Sequence, residues 1–271
     1  MQIPKFSASP HTFHSDLKKR INAYFDQAGK SMTGNFNLYL KAVVLGLSFI
    51  GLYIHLIFFT PGTALSIVEC VLLGCVISAI GFNIMHDGAH GSFSKRKWVN
   101  VVAAFSLNIL GGNSFIWNSK HNIIHHSYTN VAGVDDDIDI QPWMRMSTSQ
   151  KKLRLHKYQH FYFWGLYSLL YLLWIFLLDY NKYFTSRVGP VPLKKMKFVD
   201  HFNFWFFKLL NAFLFIALPI YMTSFMDWLV GFLIVTMISG LVISIVFQLA
   251  HTVEHTAFPV ANIETGKMEN E

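Results

Sequence analysis

Residues 42–59 read AVVLGLSFIGLYIHLIFF, residues 60–63 read TPGT, and residues 64–83 read ALSIVECVLLGCVISAIGFN. Each apolar run approaches the roughly 20 residues that carry a helix across a bilayer. The Pro61-Gly62 pair between them supplies a tight turn. The stretch therefore reads as a helical hairpin that enters and leaves a membrane. The composition agrees: of 271 residues, 53% are hydrophobic and 14% charged, against about 25% charged in an average soluble domain. A disordered chain and a disulfide scaffold are excluded. Cys70 and Cys75 lie inside an apolar run and read as packing groups. Residues 1–41 are polar and are expected to hold no signal peptide.

Further apolar runs occupy 99–117, 161–178, 205–223 and 228–250. Loop charge sorts them. Fourteen Lys and Arg lie in 85–200 and six in 1–41, with none in 60–63 or 224–227. Basic loops stay on the cytoplasmic side. If Val99–Trp117 or Phe161–Leu178 crossed once, basic segments would land outside, so each is expected to lie in the interface or to dip and return. The expected fold is all-α and integral to the membrane. It has four transmembrane helices as two hairpins, both termini cytoplasmic, a histidine-rich cytoplasmic cap and interfacial helices. Residues 1–41 form a tail whose Leu17, Ile21, Tyr24 and Phe25 line one face of an amphipathic helix, capped by Ser15 and ending near Gly29. Residues 42–271 form the membrane domain. The net charge of +7 belongs to membrane loops, with no nucleic-acid partner expected.

The 13 histidines carry the chemistry. His86 and His90 stand just past the inner end of the second run. His121, His125 and His126 lie in the basic cap, and His251 closes the last run with His255 beyond it. This topology puts all seven on one side. Positions four apart share a helix face, so 86/90 and 121/125 each aim two imidazoles at one point. Imidazole ligates iron, zinc, copper or nickel. Five or more nitrogens exceed what one tetrahedral zinc takes, so two metals are expected. A zinc protease would need His-Glu-x-x-His, but Asp87 stands at the glutamate position. A haem carrier would hold its histidines within the spans, and a transporter would string ligands along a path through the bilayer. Within the spans stand His55 and Glu69. They lie at matching depth on either side of the Pro61-Gly62 turn and are expected to pair.

His86-Asp87-Gly88-Ala89-His90 and Trp117-Asn118-Ser119-Lys120-His121-Asn122-Ile123-Ile124-His125-His126 resemble the first two histidine boxes of membrane fatty acid desaturases. The nearest likeness is to bacterial acyl-CoA (linoleoyl-CoA-like) desaturases. Asp135-Asp136-Asp137-Ile138-Asp139 and Phe247-Gln248-Leu249-Ala250-His251 are also similar to that group, and the likeness runs from about residue 10 to the end. It implies two non-haem irons, with His86, His90, His121, His125, His126 and His251 as ligands. It also implies a fatty acyl-CoA or acyl-lipid substrate, dioxygen as oxidant, and electrons from a ferredoxin or cytochrome. A bacterial inner membrane is the expected location. A hydroxylase or ketolase on the same scaffold is the alternative, as is an inactive fragment.

The family pattern includes a third box of the type Gln-x-x-His-His, which this sequence does not contain. Gln248-Leu249-Ala250-His251-Thr252 mimics its start, and the chain is expected to be truncated before that box. Asp87 and the run Asp135–Asp139 are candidates for orienting ligand imidazoles. His156, His160 and His201 are expected to be solvated. The aromatic-rich stretch Phe161–Trp174 is expected to anchor at the interface.

Overall fold

The computed structural model describes residues 4–6, 13–260 and 267–268. Helices follow the apolar runs: α1 Phe13–Ala28, α2 Phe36–Phe59, α3 Thr63–Ala89, α4 Lys97–Ile109, α5 Ser114–His125, α6 Arg154–Thr185, α7 Phe198–Met222 and α8 Phe225–His251. Polar caps start several of them. Asn35 accepts from the Leu38 N–H before α2, and Ser224 accepts from the Asp227 N–H before α8. α1 begins two residues ahead of Ser15, which sits in its first turn and not at the cap; Gly29, at φ 59°, follows its end.

Five of these helices (α2, α3, α6, α7 and α8) are long and apolar enough to cross a membrane. α4 and α5 form a pair bent by 113°. The long helices meet through small residues. A Cβ on Gly74 would stand 2.9 Å from the Val235 carbonyl, and Ser78 Oγ donates to the Ser239 carbonyl at 3.2 Å. Farther along, Phe82 meets Phe247 at 6.3 Å between ring centres, so α3 and α8 run parallel. α6 runs antiparallel to α8. Ser244 Oγ donates to the Tyr167 carbonyl, and Phe176 meets Phe232. Leu73, Ile77, Ile80, Leu110, Tyr171, Ile175 and Ile243 form the core between them.

His55 Nδ1 lies 2.8 Å from a Glu69 carboxylate oxygen, so the expected pair forms across the first hairpin. Between α5 and α6 the chain forms a cap without long helices. Beneath it Ile124, Val131, Val134, Val188 and Met268 make a small second core. Two short ladders border it. β1 (Lys5–Phe6) pairs in parallel with β4 (Lys267–Met268), and β2 (Arg187–Val188) pairs antiparallel with β3 (Val191–Pro192).

Candidate metal centre

α3 carries the first box on its last turn. A Cβ on Gly88 would stand 2.7 Å from Ala103 Cβ of α4, so the glycine between the two histidines lets α3 press against α4. His86 and His90 project from that turn with ring centres 4.4 Å apart. α5 delivers the second box from the other side. Trp117 stacks on His121 at 4.5 Å, and His121 stacks on His125 at 5.3 Å. His126 stands 4.9 Å from His90 and 4.7 Å from His121, ring centre to ring centre. All five histidines of the two boxes therefore converge. His251 closes α8; its side chain lies outside the described residues. Phe247, one turn earlier, faces the His121 ring at 5.7 Å, which brings the end of α8 to the same place. His255 is solvent-exposed beside Glu254.

Two sets of ligand atoms lie within 4.8 Å of one another, His86–His90–His121 and His121–His125–Asp137. His86 Nε2 and His121 Nε2 face each other at 3.3 Å. Two neutral imidazoles in that pose need a proton or a cation between them. His121 Nδ1 is buried with no hydrogen-bond partner, a costly state for a polar atom. A divalent cation could take the place of that proton between the two Nε2 atoms, and a set of imidazoles suits iron or zinc. The residues present thus fit a metal. Asp137 joins the second set, and the sequence alone pointed to it only as part of an acidic run.

Electrostatics keep the nitrogens available. Burial, with His86 and His126 nearby, pushes the His90 pKa down to about 4. Burial and His125 lower that of His126. Both rings are neutral near pH 7, the form that binds metal. The carboxylates behave oppositely. Burial pushes Asp137 up, but the Lys120 ammonium outweighs it and brings the pKa down to about 2.

His125 Nδ1 lies 3.0 Å from Asp135 Oδ2 and 3.3 Å from Asp137 Oδ2. Such a bond fixes the tautomer and turns Nε2 toward a metal. Asp135 also accepts from the Asn130 and Asp137 N–H groups. Lys120 bridges Asp136 and Asp137, and Lys182 reaches Asp136 at 2.9 Å. Asp87 is looser, 3.9 Å from His86 Nδ1. His156 is buried where a solvated histidine was expected. Its Nε2 donates to the Pro142 carbonyl, and its Nδ1 accepts from the Leu153 N–H. His160 and His201 are exposed. A cavity of about 700 Å³ opens at the opposite end of the bundle between the two hairpin turns and is lined by no histidine.

The family model for fatty acid desaturases matches residues 62–270. The sn-1 linoleoyl-lipid 6-desaturase of Arthrospira platensis is 32% identical over 247 residues, covering 91% of this chain and 67% of that one. The sn-1 linoleoyl-lipid 6-desaturase of Synechocystis sp. is 29% identical, covering 96% and 72%. The acyl-lipid (8-3)-desaturase of Physcomitrium patens is 32% identical, covering 97% and 55%. No solved structure matches. The chain belongs to the fatty acid desaturase family, whose curated members are oxidoreductases of lipid metabolism. The relatives are named for lipid-linked substrates, not for the acyl-CoA class that the sequence resemblance favoured.

Proposed function

We propose that this chain introduces a double bond into a fatty acyl chain esterified to a membrane lipid. Dioxygen is the oxidant, and a separate ferredoxin or cytochrome supplies the electrons. His86, His90, His121, His125, His126 and His251 would hold two irons. The observation that carries the reading is the convergence of five imidazoles at the ends of α3 and α5. Bound iron would supply the oxidising power that an unactivated methylene demands. The chain's own residues do the rest. Asp135 fixes the His125 tautomer, and Trp117 and Phe247 hold His121 from either side. Apolar side chains, among them Ile77, Met85, Trp117, Trp174 and Phe247, enclose a small void of about 30 Å³ beside His86, so an alkyl tail would need these walls to move apart.

Lipid-linked substrate is supported by the printed names of the relatives. The test expresses the chain in a bacterial host with an electron donor, then separates lipid-bound and CoA-bound acyl chains by mass spectrometry. New unsaturation in the lipid pool is expected, and its loss in His121→Ala. Hydroxylated or ketone products would sink the reading in favour of a hydroxylase or ketolase.

The four-span topology, with termini and histidines in the cytoplasm, is part of the proposal. Support comes from loop charge: fourteen Lys and Arg lie in 85–200 and none in 60–63 or 224–227. α6 is the helix on which the count turns, because it is long and apolar enough to cross and packs antiparallel to α8. Cysteines at Thr63 and Ser224 should react with an impermeant thiol reagent from outside, and those at Ser149 and Ser186 should not. Outside labelling at Ser186 would make α6 a crossing.

A further inference from the structure

A buried ion pair stands inside the apolar bundle. Lys208 of α7 is 7% exposed and Asp179 of α6 is 1% exposed, with Nζ and Oδ2 3.2 Å apart. Ionisable groups in such helices are costly and tend to mark function. A buried pair is also a weak source of stability, because well-packed apolar replacements are often neutral. Stability alone does not explain these two residues, but their neighbours do.

α4 ends at Ile109, and the chain turns through Leu110, Gly111 and Gly112 before α5. A helix end leaves its last carbonyls without partners, and residues 110–113 are all buried. Three consecutive carbonyls here are met by three side chains from other helices. Asn211 Nδ2 donates to Ile109 O at 3.0 Å, the Tyr171 hydroxyl donates to Leu110 O, and Lys208 Nζ donates to Gly111 O at 2.7 Å. Lys208 also donates to Ile175 O at 2.8 Å. Asp179 accepts from Trp174 Nε1, and Trp174 packs with Met85, Leu107 and Trp117 next to the histidines. The fit leaves no slack. Gly111 has φ 97°, and a Cβ there would stand 3.0 Å from the Asn211 amide.

The elbow is coupled to the second box by an unbroken helix. Asn108 and Asn113 accept from the Ser114 and Ile116 N–H groups and start α5. His121 follows seven residues after Ser114, about 10 Å along the axis. Metal ligands tolerate displacements of only about 0.5 Å.

We propose that Lys208, Tyr171 and Asn211 are positioning residues. They fix the depth and direction of α5 through the carbonyls of its elbow, and Asp179 holds Lys208 in place. The proposal rests on the reading of His121, His125 and His126 as metal ligands. The test uses the full chain in detergent, stripped of metal and titrated with cobalt(II), followed by its visible ligand-field bands. Thermal midpoints are measured alongside. Loss of an orienting partner typically weakens metal affinity about 10–100-fold. Tyr171→Phe, which removes one hydroxyl, should fall at the lower end. The double variant Lys208→Met/Asp179→Leu should fall at the upper end while its thermal midpoint stays close to that of the unsubstituted chain. Lys208→Arg keeps a donor and should restore most of the affinity. Unchanged affinity and bands in both Tyr171→Phe and Asn211→Leu would overturn the proposal, whatever the double variant does. If the unsubstituted chain binds no cobalt, the metal reading itself fails and the positioning role falls with it.

Discussion

The first histidine box rides on the end of a long helix, whereas the second is held by buried charge. His86 and His90 need little beyond α3 itself. The helix sets their spacing, Gly88 sets their approach to α4, and the nearest carboxylate stands 3.9 Å away. His121 and His125 are 3% and 2% exposed and follow an elbow of irregular backbone. Around them Asp135, Asp137, Lys120, Asp136 and Lys182 form a continuous ionic web. A helix end places ligands by geometry alone, whereas a box that starts from a bend must be fixed by side chains recruited from elsewhere.

That contrast can be broken or sharpened by substitution. The largest effect is expected at Asp135, which holds His125 and two backbone N–H groups at once. Asp135→Ala should lower metal affinity toward the upper end of the about 10–100-fold range for lost orienting partners, read by cobalt titration. Near-normal affinity would mean that the second box is as self-sufficient as the first. Lys182→Met comes next. It leaves Asp136 paired with Lys120 at 3.7 Å and should weaken binding by about 10-fold or less.

Glu69→Gln tests the opposite end of the bundle. His55 is 43% exposed, so the pair contributes about 1 kcal/mol or less. A small drop in thermal midpoint with unchanged metal content is expected. A change in metal content would link the two ends. The smallest effect belongs to Asp87→Asn. At 3.9 Å its carboxylate makes no direct hydrogen bond to His86, so affinity should stay close to that of the unsubstituted chain. A loss as large as that of Asp135→Ala would erase the distinction between the boxes.

The first box was legible because its spacing is the helix repeat, and the second was half legible for the same reason. Pairing of His55 with Glu69 followed from counting residues on either side of one turn. The anchoring of the second box was not legible. Asn211 and Ile109 are 102 residues apart, and Lys208 and Gly111 are 97 apart. No local pattern connects them. Lys120 and Lys182 counted as loop charge in the sequence, yet both are drawn into the cap by Asp136 and Asp137. His156 misled for a similar reason. Its neighbours are basic, but its partners are the backbone of Leu153 and Pro142.

The bend between α4 and α5 also has a consequence for how the molecule is made. Chains emerge N-terminus first and fold as their parts become available. The first box is complete soon after residue 90 is synthesised, because α3 needs no later segment to form. The carbonyls of the elbow wait for Tyr171, then Lys208, then Asn211. If those donors fix α5 as proposed, its direction is set only once α7 is in place, and the five imidazoles come to face one another only when synthesis is nearly finished. A nascent chain offers passing cations isolated pairs of histidines and no finished trap.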